Sequence, residues 1–293
     1  MKKGKVLVTL FFMILTLLCN LTAPLALPKK LTKIKEVPDL KQPESVIYDA
    51  KRNCLYVSNI NGGATQKNGD GFIAKISLEG TIEKLDWITG LNAPKGLAIY
   101  KDTLYISDID SLIEVDIPTE KIINFYPAPE SQFLNDVTID EKGNVYVSDM
   151  YSNIIYLLKK DSLDIWLKSK ILDNPNGLCV KENNLIVASW GAMDEKFNVI
   201  GPGQLKKISL SDKIISGLGI PFGNLDGIKI DEQGNYYITD FVAGKILYVS
   251  SEGKETLLLK VKEGCADLEY IPNKKLILVP MMNDNVLIFY QVD

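Results

Sequence analysis

Apolar and polar positions alternate in short runs along most of the chain, and the runs come in pairs. "LNDVTIDEKGNVYVSD" (Leu134 to Asp149) reads as a strand of about five residues, a polar turn and a second strand. Nearly the same text returns at "LDGIKIDEQGNYYITD", from Leu225. Looser copies begin at Pro43, Pro94, Pro175 and Ala266, so the six starts fall 40 to 51 residues apart. The turns "DEKGN", "DEQGN" and "KENN" carry the Gly and Asn that tolerate positive φ. Two further strands follow each pair, as "NIIYLLKK" and "SLDIWLKS" do after the third copy. Four strands repeating every 40 to 50 residues or so predict a β-propeller blade. Six copies predict an all-β, six-bladed propeller occupying residues 29–293 as one domain. The sixth copy runs out of chain one strand short. The alternating segment "LTKIKEV" (Leu31 to Val37) has no partner of its own, so it is expected to complete that blade and leave no long unpaired edge.

The first 28 residues break the pattern. A basic start, "MKKGK", precedes the unbroken apolar run Val6 to Leu18, with small residues at Ala23 and Ala26. The run is short for a bilayer span, so residues 1–28 read as a secretory signal peptide and the mature protein as periplasmic or secreted. No other segment is apolar enough to cross a membrane. The net charge of −4 falls to −7 when Lys2, Lys3 and Lys5 leave with the signal, which gives no electrostatic reason to bind nucleic acid. Cys54, Cys179 and Cys265 remain in the mature chain, enough for at most one disulfide, and all lie in or beside apolar strands as small hydrophobes do. The chain contains no histidine. Histidine-based triads, Cys-His pairs and imidazole zinc sites are therefore excluded, and chemistry falls to carboxylates, amides, lysine, tyrosine or a hard metal ion.

The innermost strand of each blade lines the central channel, and a polar residue stands at the entrance of every one: Glu44, Lys95, Asn135, Asn176, Asp226 and Asp267. Wet channel mouths tolerate polar groups, but this ring is chemically uneven. Glu44, Asn135, Asn176 and Asp226 offer two carboxylates and two amide carbonyls, hard oxygen ligands suited to Ca²⁺ or another divalent cation. Asp108, Asp149 and Asp240, at the ends of second strands, recur blade by blade and read as turn architecture. Gly96, Gly177 and Gly227 read as points of close strand approach.

"PES" with Glu44, "LND" with Asn135, "PNG" with Asn176 and "LDG" with Asp226 resemble the gluconolactonase/regucalcin (senescence marker protein) family, which also contains diisopropylfluorophosphatase. The resemblance spans the mature chain at the level of the repeat. It implies a six-bladed propeller with a divalent cation, usually calcium, held by Glu44, Asn135, Asn176 and Asp226. It further implies that Asp226 is both ligand and general base or nucleophile. Lys95 departs from that pattern. It could pair with Glu44, orient an acidic substrate, or stand in place of the metal.

Two long loops, Asn59 to Gly71 and Trp190 to Gly203, leave the second strands of opposite blades on the face that carries the ring. Asp70, Trp190 and Phe197 on these loops are candidate substrate contacts, with Lys95 and Asp267 from the ring. The expectation is an exported calcium-dependent hydrolase of a lactone or similar ester, a sugar lactone at family level. The alternative is a non-catalytic propeller of the NHL kind that binds a small ligand or a protein.

Overall fold

The structure, a computed structural model, describes residues 30–293, so the expected signal peptide lies outside the described residues. Among the described residues, twenty-four strands form six four-stranded antiparallel sheets, with three short 3₁₀ turns. The molecule is an all-β, six-bladed propeller. Its innermost strands are Pro43–Asp49, Pro94–Tyr100, Leu134–Ile139, Pro175–Lys181, Leu225–Ile230 and the shortened Glu269–Ile271. In the sixth sheet the outermost strand is Leu31–Val37, paired antiparallel with Val286–Val292 from Leu31 opposite Val292 to Val37 opposite Leu287. No described helix is long and apolar enough to cross a membrane.

The two-residue period of each strand decides how blades meet. Leu55 and Val57 face the sixth blade and pack with Leu278 and Phe289. Their neighbours Cys54 and Tyr56 face the second blade and pack with Leu97 and Leu104. The same division recurs around the molecule and yields six apolar clusters, each between two adjacent blades. Each cluster holds nine or more buried side chains, and each large one is worth about 1.5–3 kcal/mol relative to exposure. The contacts between blades, rather than any one sheet, therefore hold the ring together. Cys54, Cys179 and Cys265 are free thiols inside this packing.

One irregularity positions the channel side chains. Pro43 pairs with Asn59 and Val46 with Val57, so three residue steps on the inner strand oppose two on its neighbour. The same single-residue bulge lies between Pro94 and Leu97, Leu134 and Val137, Pro175 and Leu178, and Leu225 and Ile228. A bulge re-aims a side chain and unpairs a backbone N–H, and here second-strand hydroxyls take up the freed groups. Asp136 N–H donates to Ser148 Oγ at 2.9 Å, and Ser148 Oγ donates on to Asn176 O, in the next blade, at 2.7 Å. Gly227 N–H donates to Thr239 Oγ1 at 2.8 Å, and Thr239 donates to Ala266 O at 2.9 Å. Ser107 Oγ likewise donates to Asn135 O. The residue after each hydroxyl caps the incoming chain: Asp108 accepts from Asn92 and Ala93 N–H, each at 2.7 Å, and Asp149 from Gln132 N–H at 2.7 Å. These aspartates are architectural, as their recurrence predicts.

Inner strands crowd closely where the bulges lie. A Cβ on Gly177 would sit 2.1 Å from Asp226 O, which is backbone and cannot swing away. Gly177→Ala is expected to lower stability by about 1–3 kcal/mol, whereas Gly201→Ala, whose Cβ would meet only Ala192 Cβ at 3.6 Å, is expected to be tolerated. Denaturant unfolding of both variants checks this; equal midpoints would remove close strand approach as the reason for the glycine.

Candidate functional site

Five bulges deliver five polar side chains to one place. Glu44, Lys95, Asn135, Asn176 and Asp226, each the second residue of its inner strand, form the polar floor of a cavity of about 200 Å³ at the channel mouth. All five are buried. The sixth expected ring member behaves differently. In blade six the same one-residue step lies between Cys265, opposite Met281, and Glu269, opposite Leu278, but the regular inner strand begins only at Glu269 and Asp267 pairs instead with the first blade. Its N–H donates to Glu44 O at 2.9 Å, its Oδ2 accepts from Ser45 Oγ at 2.6 Å, and Lys229 Nζ lies 3.6 Å from Oδ1. Asp267 is not among the residues lining the cavity. Asp70 is not either: it is exposed, its carbonyl accepts from Asn61 Nδ2 at 2.9 Å, and its N–H donates to Asn68 Oδ1 at 3.2 Å within the loop's own turn.

The floor leaves two carboxylate oxygens without a partner. Lys95 is 1% exposed, and its ammonium donates to Ala93 O at 2.9 Å and lies 4.3 Å from the centroid of the Phe133 ring. It thus donates to the backbone of its own blade and not to a floor carboxylate. Glu44 Oε2 and Asp226 Oδ1 are buried with no hydrogen-bond partner. Burial holds the Glu44 carboxyl well above its usual range, and Asp226 and Asp267 push it further. Asp226 is raised likewise, by burial, then by Asp267 and Asp136. Burial draws the Lys95 ammonium down to about 8, against the pull of Glu44. Among the described residues no three acidic or sulfur side chains gather as a metal cluster, so any ion here depends on the amides. Two orphaned carboxylate oxygens beside Asn135 and Asn176, which supply amide carbonyls, make a hard-oxygen donor set that suits Ca²⁺ or a similar divalent ion.

A second charged layer lies nearby, and the repeat pattern gave little sign of it. Asp136 takes the place that glycine holds at Gly96, Gly177 and Gly227. Its Oδ2 accepts from Leu178 N–H and its Oδ1 from Val137 N–H, each at 2.6 Å. Burial and then Asp267 raise it to about 8, with Lys229 opposing. Burial raises Glu269 to about 7. Five carboxylates (Glu44, Asp136, Asp226, Asp267 and Glu269) thus share the channel with the two ammonium groups of Lys95 and Lys229.

Above the polar floor the cavity is apolar, and this too follows the repeat. The residue directly after each second strand, or after the Ser–Asp pair that ends it, is Ile60, Ile109, Met150, Trp190, Phe241 or Met282. Five of these six line the cavity, while Ile109 packs beneath it against Ile60 and Ala93. The periodicity was available in the sequence ("SNI", "SDI", "SDM", "TDF") but is masked there by the apolar strands around it. Both long loops contribute, the first through Ile60 and Ala64, the second through Trp190, Met193, Phe197 and Val199. Of the expected loop contacts, Trp190 and Phe197 are therefore in the cavity wall and Asp70 is outside it.

Fold and cavity define a six-bladed propeller with a polar, acidic channel mouth under apolar walls. Residues 42–266 match the SMP-30/Gluconolactonase/LRE-like region, and the chain belongs to that family, whose members are lactonase-like propellers typically dependent on a divalent metal. A comparison with curated proteins returns no sequence match. Among solved structures the chain is similar to a catalytically inactive histidine-to-alanine variant of virginiamycin B lyase from Staphylococcus aureus, in a structure with quinupristin. The TM-score is 0.60 and the identity 14%, over 90% of this chain and 100% of that one. A streptogramin B lyase structure aligns with TM-score 0.62 and 11% identity, over 90% and 97% of the two chains. At these identities the likeness is one of fold.

The raised carboxyls give a sign-definite expectation. A fold that prefers Glu44, Asp136 and Asp226 protonated holds that stability fully below the ordinary carboxylate range and loses it as pH rises above that range, toward about 8 in the case of Asp136. A bound cation favours the charged forms, so the melting-temperature gain from millimolar Ca²⁺ over chelator is expected to grow as pH is raised through this window. Glu44→Gln and Asp226→Asn should both shrink the gain. A gain that is absent, or flat with pH and untouched by either change, rules out a cation on this floor.

Proposed function

We propose that the protein is an exported, divalent-cation-dependent hydrolase of a lactone or similar ester, with calcium the fitting ion. The observation that carries this reading is the pair of buried, partnerless oxygens, Glu44 Oε2 and Asp226 Oδ1, in a cavity whose other floor groups are two amides and one ammonium bonded to Ala93 O. Export rests on the basic start and apolar run of the first residues.

Glu44, Asn135, Asn176 and Asp226 would hold the cation. When bound, it supplies positive charge against the negative charge that develops on an acyl oxygen during attack. Asp226 is the residue placed to accept a proton. Its carboxylate is buried on the floor, Oδ1 has no protein donor, and proton affinity is raised by burial and by Asp267. As a water oxygen bonds to the acyl carbon, Asp226 takes the water proton. The bond between the acyl carbon and the ring or ester oxygen then breaks, and that proton passes to the departing oxygen, giving a hydroxy acid from a lactone or an acid and an alcohol from an open ester. Lys95 adds a cation to the cavity lining, held by Ala93 O and the Phe133 ring, where it can attract the carboxylate product or an acidic substrate.

A lyase reading drawn from the structural neighbours finds less support. The inactive variant of that lyase lacks a histidine, and this chain has none to offer in any position. The binding-only alternative separates from the hydrolase by turnover. In a lactone and aryl-ester panel with calcium, Asp226→Asn is expected to lower kcat by roughly 10²–10⁴-fold with the fold intact, and chelator to abolish activity reversibly. Unchanged turnover in both tests would sink the mechanism; no turnover by the wild type on any member would favour the binding propeller.

A further inference from the structure

We propose that the substrate is a compact ester or lactone with an apolar body, and that polyhydroxylated lactones of the sugar type are disfavoured. The inference deepens the hydrolase reading and rests on it for the reacting group. The chemistry of the walls is independent of it.

Above the five floor residues, every lining residue is aromatic or aliphatic. The apolar ring supplies Ile60, Met150, Trp190, Phe241 and Met282, one from each of five blades. A column of rings forms a further part of the wall: Phe133 stacks on Tyr151 with centroids 4.5 Å apart, and Tyr151 on Phe197 at 4.2 Å. Trp190 and Phe241 face each other at 5.6 Å. The polar atoms these walls carry are the Tyr151 hydroxyl and the Trp190 indole N–H, the latter buried without an acceptor. A sugar lactone carries a hydroxyl on most ring carbons, and each one buried here unpaired weakens binding roughly 5- to 150-fold. An alkyl or aryl body meets no such loss, and methionine walls adapt to its shape. The cavity, about 200 Å³, lies below the ~300–1,000 Å³ typical of drug-sized ligands, which limits the body to about one ring with a short substituent.

The outermost ring is placed at a conformational cost. Phe197 has φ of 62°, a left-handed conformation that bulky residues avoid. The turn that holds it is built by Asp194, whose Oδ1 accepts from Lys196 and Asn198 N–H at 2.8 and 2.9 Å. An asparagine or glycine would relax this turn; a phenylalanine there, 47% exposed at the mouth, fits a role in contacting an apolar ligand. Phe197→Asn removes the ring while suiting the backbone.

The test compares δ-decalactone with glucono-δ-lactone for turnover in calcium, and the matching alkyl and polyhydroxylated δ-lactams for binding by thermal shift. The alkyl lactone is expected to be preferred by about 100-fold or more in kcat/KM, the alkyl lactam to bind more tightly, and Phe197→Asn to cut both preferences by roughly 10-fold through KM rather than kcat. Equal or better performance by the polyhydroxylated member of either pair overturns the inference, as does failure of both lactams to bind. Selective binding of the alkyl lactam with no lactone hydrolysed would uphold the apolar substrate class and defeat the hydrolase.

Discussion

Everything at the channel mouth depends on one extra residue in each of five inner strands. A regular ladder would alternate Glu44, Lys95, Asn135, Asn176 and Asp226 in and out of the sheet with their neighbours; the bulge turns all five to the axis together. The cost is an unpaired N–H in a dry interior, worth about 1–3 kcal/mol if left unmet. Ser58, Ser148 and Thr239 meet it, and Ser107, Ser148 and Thr239 also bind the next blade. The device that aims the site is thus also one that fixes the blades relative to each other.

The same closeness makes the channel electrostatically uneasy. Five carboxylates and two ammonium groups share a buried space, and burial raises Glu44, Asp136, Asp226 and Glu269 above their ordinary range. A hydrophobic isostere would be more stable at most of these positions. Arrangements of this kind mark functional sites when they sit in a cavity with unmatched atoms, as Glu44 and Asp226 do. Apolar walls above such a floor lower the local dielectric and strengthen every charge interaction at the base. Fold and proposed chemistry therefore draw on one feature, a buried funnel with apolar walls and charges at its base.

Sequence reasoning succeeded where the repeat is strict and faltered where a blade departs from it. Asp267 aligns with the other ring residues by text, yet the register of blade six puts Val279 and Pro280 where the second, third and fifth blades have a hydroxyl and an acid, and its inner strand starts three residues late. Without that hydroxyl and a full inner strand, Asp267 turns to Ser45 and Lys229. Asp70 is close to the ring face in sequence terms, but its loop spends it on an internal turn. Asp136 and the apolar ring were in plain text and unread, because an acid in a glycine position and a hydrophobe after a strand each have an ordinary explanation.

By itself the sequence determined the all-β class, the four-strand period, the six-fold count, the absence of histidine chemistry and the identity of five polar residues sharing one axis. These follow from local rules: side-chain period, turn residues and repetition. Only the tertiary structure decided that Lys95 bends to Ala93 O and Phe133 while Glu44 and Asp226 keep free oxygens, that Asp267 lies off the cavity, and that aromatic residues from several blades close over the floor. The reason is that burial, hydrogen-bond satisfaction and cavity shape belong to residues brought together from different blades, and no stretch of chain contains the partners that settle them.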